Sequence, residues 1–269
     1  MTEFIDSHAH LTLDDTFSFS KTEEILKRAK KANIKTIINI CTNLFSLEKG
    51  IELAKKHRSV FTAAATPPHD TEKEEKSFFS LVEKYAKEKK IVAIGETGLD
   101  YYYKYSKKET QKAFFEKYLS LAKDLSLPVI IHCREAFNDL FEITKKYMPF
   151  PAVLHCFTGT NEEAKKALEN GWYISFSGII TFKNSNALRE VVKIVPLEKM
   201  LIETDSPYLA PQKYRGGGNE PAYLIETAKE IAKIKNVEID KVARITSKNA
   251  RSFFKILFSV KSSVNRYIL

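Results

Sequence analysis

The chain has 269 residues, 43% of them hydrophobic and 29% charged, with 43 basic against 34 acidic side chains and a net charge of +9. That balance excludes wholesale disorder, and the length suits one α/β barrel of about 250 residues as readily as two smaller domains. No segment approaches the roughly 18 apolar residues of a membrane helix. Three dispersed cysteines exclude a disulfide framework, and the opening MTEFIDSHAHL lacks a basic-then-apolar leader, so a reducing cytoplasm is the expected compartment.

Eight apolar, β-branched runs follow one another at 4–7, 34–41, 60–65, 91–96, 128–133, 152–157, 173–178 and 200–205. Segments of helical spacing separate them, such as Ile25, Leu26, Ala29 and Ala32, and later Phe114, Tyr118, Leu121 and Leu125. Nearly continuous apolar strands that alternate with helices predict a parallel sheet covered on both faces. Eight such units predict a (β/α)8 TIM barrel. Extra C-terminal helices are expected at 222–235, 240–246 and 248–258. With no linker or internal repeat, the reading is one barrel domain over 1–258 and a basic, weakly ordered tail over 259–269.

Glycine is scarce, with nine in the chain, yet seven of the nine fall at or just after the carboxyl ends of the expected strands. That is the face on which barrel enzymes build their sites. Side chains alternate along a strand, so His8 and His10 in DSHAH point the same way, as does Asp6. Alone this is a weak signal, because a histidine in an apolar strand is commonly a satisfied core residue. It has company: the later runs carry Glu96, His132, His155 and Asp205 at or near their carboxyl ends. Four of six histidines and two carboxylates therefore gather at the tops of five strands.

Buried, unpaired carboxylates there would be costly. A divalent metal removes that cost, since imidazole and carboxylate ligate zinc and, with more oxygen, manganese or magnesium. Six ligands are too many for one catalytic ion with an open position. They suit two divalent metal ions about 3.5–4 Å apart, with one carboxylate between them.

The ordered motifs DSHAHL, GETGLDYYY, PVIIHCREA, VLHCFTGT, SFSGIITFKN, IETDSPYLAP and RGGGNEPAYL resemble the TatD-type metal-dependent hydrolases, a family of deoxyribonuclease barrels within the amidohydrolase-like superfamily. The resemblance runs from Phe4 to about Phe254. It implies His8, His10, Glu96, His132, His155 and Asp205 as metal ligands, the same six reached above. One departure stands out: relatives read G-x-H-P-H after the third strand, whereas this chain reads AATPPHD, with Pro67 at the first histidine position and His69 retained.

Other positions carry weaker expectations. Arg134 suits a phosphate oxygen, or a rim salt bridge. Tyr102 and its neighbouring tyrosines, interleaved with lysines, suit base stacking or loop packing. Lys183, and Arg215 before three glycines, are further candidates for substrate contact. Asp6 and Glu203 are expected behind the ligands as acceptors for their imidazoles. Asn219 reads as a helix N-cap, and Cys133 and Cys156 as outward core residues. From Lys241 onward there are seven basic and no acidic residues, and Lys248, Arg251 and Lys255 recur at helical spacing as a possible nucleic-acid track.

The expected function is metal-dependent hydrolysis of phosphodiester bonds in DNA or oligonucleotides, with Asp205 as base and Glu96 between the ions. A barrel of the same design cutting esters or amides, for example aminoacyl-tRNA esters, is the first rival. A metal-free nucleic-acid-binding barrel is the second. Nothing calls for a membrane or an obligatory protein partner.

Overall fold

A computed structural model describes residues 2–13, 17–74 and 77–256. Eight parallel strands follow in sequence order, each bonded to the next: β1 (Phe4–Ala9), β2 (Ile34–Cys41), β3 (Val60–Ala64), β4 (Ala93–Asp100), β5 (Val129–Arg134), β6 (Ala152–Leu154), β7 (Tyr173–Phe176) and β8 (Met200–Ile202). The ring closes between β8 and β1. There Asp205 N–H donates to His8 O at 2.9 Å, and His10 N–H to Ser206 O at 2.7 Å. The result is the (β/α)8 barrel expected from the alternating pattern.

Helices α1 (Phe19–Lys31), α2 (Leu44–Lys56), α3 (Phe78–Lys87), α4 (Lys108–Leu125), α5 (Phe137–Thr144), α6 (Asn161–Glu169), α7 (Asn186–Ile194) and α8 (Leu224–Lys235) cover the outside. Their starts carry the expected chemistry. Asn43 and Ser46 form a reciprocal capping box at α2, and Thr160 and Glu163 do the same at α6. Among the described residues, no helix is long and apolar enough to cross a membrane.

Three strand ends differ from expectation by three residues or more. The fourth strand continues to Asp100, with its register to β5 broken between Ile94 and Thr97. The sixth and eighth stop early, at Leu154 and Ile202, so His155 and Asp205 stand on the loops just beyond. Cys156 and Asp205 have φ of 41° and 56°, left-handed values that end strand alternation. Parity therefore fails for Cys156, which borders the central cavity, whereas Cys133 within β5 joins the apolar core as expected while also reaching the cavity edge.

The C-terminal segment is one helix, α9 (Ile239–Phe254), rather than two. The polar stretch that suggested a break is satisfied in place. Thr246 Oγ1 donates back to Val242 O, Ser247 Oγ to Glu3 O, and Asn249 Nδ2 to Leu197 O and Met200 O. The last three acceptors lie at the amino ends of β1 and β8. Ala250, Phe253 and Phe254 enter the barrel floor among Ile5, Ile38, Ala63 and Leu201.

This placement corrects the expectation for the basic helix. Arg251 pairs with Glu3 at 3.3 Å, and Lys255 Nζ donates to Ser126 O at 3.2 Å, at the end opposite the ligand cluster. These cations lie on the wrong face to lead a strand to the site. Replacing Lys248, Arg251 and Lys255 together by Gln is thus expected to leave oligonucleotide affinity and its salt slope unchanged, as checked by titration over a salt series. The end of the expected helix at 258 and the tail at 259–269 lie outside the described residues.

Candidate metal centre

The barrel mouth opens on a cavity of about 510 Å³. On its floor, His8 near the end of β1 and His10 just beyond it have their Nε2 atoms 3.3 Å apart. Glu96 Oε2 lies 3.2 Å from His8 Nε2 and 2.9 Å from His155 Nε2. Asp205 Oδ1 stands 3.6 Å from His8 Nε2 and 3.5 Å from His10 Nε2. His132 Nδ1 completes the group, 3.2 Å from His155 Nε2. All six side chains marked by the sequence therefore meet in one cluster. It contains three triads that could each hold an ion, His8–His10–Glu96, Glu96–His132–His155 and His8–His155–Asp205, and Glu96 is the carboxylate shared by the first two.

The backbone of β4 makes this convergence possible. Gly98 has φ of +144°, and a Cβ there would stand 2.0 Å from His132 O; at Gly95, φ +149°, it would meet Ile130 Cβ at 2.5 Å. Only glycine permits so close an approach of β4 to β5. Gly98→Ala is expected to cost at least about 1–3 kcal/mol from the backbone conformation alone, with the clash added. A lowered urea midpoint measures it.

Chemistry of the donor set tests whether a metal fits. Burial and the neighbouring His155 lower the pKa of His8, favouring the neutral, ligating form. Burial opposes charge on Glu96, yet His155 and His8 hold its carboxyl well below the usual range. Burial likewise opposes charge on His155, while Glu96 and Glu203 raise it well above the ordinary value. Among the described residues, the buried Nδ1 atoms of His8 and His10 have no hydrogen-bond partner. With protons there, both Nε2 lone pairs point into the cluster beside a carboxylate. With protons on Nε2, two N–H groups face each other. Divalent cations relieve the first arrangement, so the residues fit metal.

Behind the cluster stand carboxylates that orient imidazoles. Glu203 Oε1 lies 3.3 Å from His155 Nδ1 and accepts Cys156 N–H at 2.7 Å, as expected for an acceptor there. Asp6 is different. It accepts Thr204 N–H at 2.9 Å, Thr204 Oγ1 at 2.6 Å and His8 N–H at 3.3 Å, so it ties β1 to β8 and touches no imidazole. Burial pushes its carboxyl up to about 8 against those three bonds. The residue missed by sequence reasoning is Asp100, whose Oδ2 lies 2.8 Å from His132 Nε2 and 3.0 Å from His69 Nε2. It shares even numbering with Glu96 in GETGLD, and that was the available signal.

Around the rim, Arg134 borders the cavity with its guanidinium 3.7 Å over the Tyr102 ring, and it has no acidic partner among the described residues. Tyr102 lies beneath it, outside the cavity lining. Lys183 and Arg215 do not line the cavity either; Arg215 covers the Phe182 ring at 4.1 Å. Asn219 is not a helix cap. Its Nδ2 donates to Thr204 O at 2.8 Å and Tyr208 O at 2.6 Å, clamping the loop that carries Asp205.

Residues 5–255 match the family model described as TatD related DNase. The chain belongs to the TatD family of metal-dependent hydrolases. An uncharacterized metal-dependent hydrolase of Buchnera aphidicola subsp. Acyrthosiphon pisum is 38% identical over 264 residues, covering 94% of this chain and 99% of that protein. The 3′-5′ ssDNA/RNA exonuclease TatD of Erwinia amylovora is 34% identical over 240 residues, covering 86% and 93%. Among solved structures, YJJV, a TatD homolog from Escherichia coli K12, superposes with a TM-score of 0.87 at 28% identity, covering 94% of this chain and 98% of that one. In this TatD barrel, Pro67 borders the cavity and accepts Asp70 N–H at 3.1 Å, setting the turn that presents His69.

Proposed function

We propose that this chain cleaves phosphodiester bonds of DNA or oligonucleotides at a centre of two divalent ions. The observation that carries the reading is Glu96, shared by two triads across one cluster. His8 and His10 would hold one ion, His132 and His155 the other, with Glu96 between them and Asp205 beside the first. Ions bound there would supply an acidified water and positive charge against the non-bridging phosphate oxygens; zinc, manganese and magnesium all suit the donors.

The chain's own residues do the rest. Asp205, whose pKa is lowered by His10 and His8 despite burial, accepts the proton of the attacking water. Arg134 offers its guanidinium fork to a phosphate oxygen from the rim, steadied by Tyr102. Arg215 and Lys183, outside the cavity, would touch only strand lying beyond the mouth. Glu203 fixes His155, and Asp100 fixes His132 with its Nδ1 turned inward. Asp100→Asn is therefore expected to lower metal affinity about 10–100-fold, measured by metal titration.

Support for a nucleic-acid substrate comes from the Erwinia relative's name and from a rim with an unpaired arginine beside exposed tyrosines. An assay of labelled DNA, labelled RNA and a generic carboxylic ester, each with added metal and with chelator, tests the reading. Metal-dependent, chelator-sensitive release of nucleotides is expected. Ester cleavage without any phosphodiester cleavage would overturn it.

A further inference from the structure

Seven large hydrophobic side chains are exposed among the described residues, and five of them crowd the barrel mouth: Tyr102, Tyr103, Tyr105, Tyr208 and Leu209. Such a concentration of apolar surface beside a site marks a binding surface. Three of the five stand on the loop that leaves β4. Tyr103 and Tyr105 lie parallel, with centroids 5.4 Å apart and planes 5° from each other. Both meet the His69 ring edge-on, at 5.6 and 5.9 Å. Tyr103 covers one face of Tyr105, and Tyr105 remains 62% exposed.

Packing of the loop onto the barrel does not account for this exposure, because other residues do that work. Tyr101 OH donates to Asp139 at 2.6 Å, and Lys108 Nζ covers its ring at 4.2 Å. Asp100 Oδ1 accepts the N–H groups of Tyr102 and Tyr103 at 3.0 and 2.8 Å. Ser106 Oγ donates to His69 O at 2.9 Å, and Gln111 Nε2 to Ser106 O at 3.0 Å. The loop is thus fixed at both ends, with its two outer rings held face to face and open. Lys104, between them in sequence, has no acidic partner among the described residues.

We infer that Tyr103 and Tyr105 form a preformed stacking platform for an unpaired nucleobase of the strand whose phosphate enters the cavity. This rests on the proposed phosphodiester reading and goes beyond it by naming what recognises the substrate. A base offers a flat π face of any sequence to such a ring, so the recognition tolerates all four bases. In a duplex those faces are stacked on neighbouring base pairs, and the platform has nothing to take. Arg134 beside Tyr102 and Tyr103 supplies the adjoining phosphate contact.

The test uses metal-replete protein and a short phosphorothioate thymidylate strand that resists cleavage, with the same strand carrying abasic sugars at its 3′ end as comparison. Tyr105→Ala is expected to weaken the base-bearing strand about 5- to 150-fold, while the base-free strand loses far less. Tyr105→Phe keeps the ring and is expected to restore the affinity. The salt slope is expected to stay the same for both variants, since no charge changes. Equal affinity of Tyr105→Ala and wild type for the base-bearing strand would overturn the platform, as would an equal loss for both strands. Wild-type protein that binds in this Tyr105-dependent way but cleaves no phosphodiester would overturn the proposed function and leave the platform standing.

Discussion

Asp205→Asn is expected to lower turnover on a single-stranded oligonucleotide by about 10²–10⁴-fold at saturating metal. Asparagine keeps the size and one oxygen of the side chain but cannot take a proton at neutral pH. The fold should tolerate it. Asp205 has φ of 56°, a left-handed conformation that asparagine adopts readily, and its N–H bond to His8 O belongs to the backbone. A melting temperature near that of wild type, measured beside kcat, separates lost chemistry from lost structure. Metal titration on the same variant separates the base from a ligand role: retained ions with lost turnover mark the base. Near-normal turnover would mean that Asp205 is neither.

Glu96→Ala carries the second large effect. Its Oε2 sits 3.2 Å from His8 Nε2 and 2.9 Å from His155 Nε2, so one substitution removes a donor from both triads. Metal content is expected to fall from near two ions per chain to well below one. His132→Ala, which leaves the His8–His10–Glu96 triad intact, should lose most of a single ion. Loss of activity in Glu96→Ala should exceed the roughly 10–100-fold that removal of an outer partner costs. Elemental analysis of the purified variants reads the stoichiometry, and equal losses in the two variants would contradict a shared carboxylate.

How much of this was legible in the sequence follows from the reach of each signal. Apolar runs bounded by polar residues located all eight strands, and β2 at Ile34–Cys41 coincides with its run. The six clustered side chains were legible because each lies within three residues of the carboxyl end of such a run, whatever the strand's exact bound. Alternation failed where the backbone leaves β geometry, as at Cys156 and Asp205, so it misplaced Cys156 but not Cys133. Asp100 was overlooked because β4 breaks register after Ile94 and continues past its apolar part. Helix amphipathicity shows that α9 buries one face. It does not show that Phe253 and Phe254 plug the barrel floor, which is what puts Lys248, Arg251 and Lys255 away from the mouth. Asp6 and Asn219 bond to the backbone around Thr204, nearly two hundred residues from Asp6, and no local pattern reports such a contact.

The central claim is that phosphodiester cleavage needs both triads filled. The most direct measurement is the cleavage rate of a single-stranded oligonucleotide as a function of divalent ions bound per chain, starting from metal-stripped protein. The rate is predicted to stay near zero through the first ion and to rise to its maximum as the second binds. Full activity at one ion per chain, or cleavage that persists in metal-stripped protein, would contradict it.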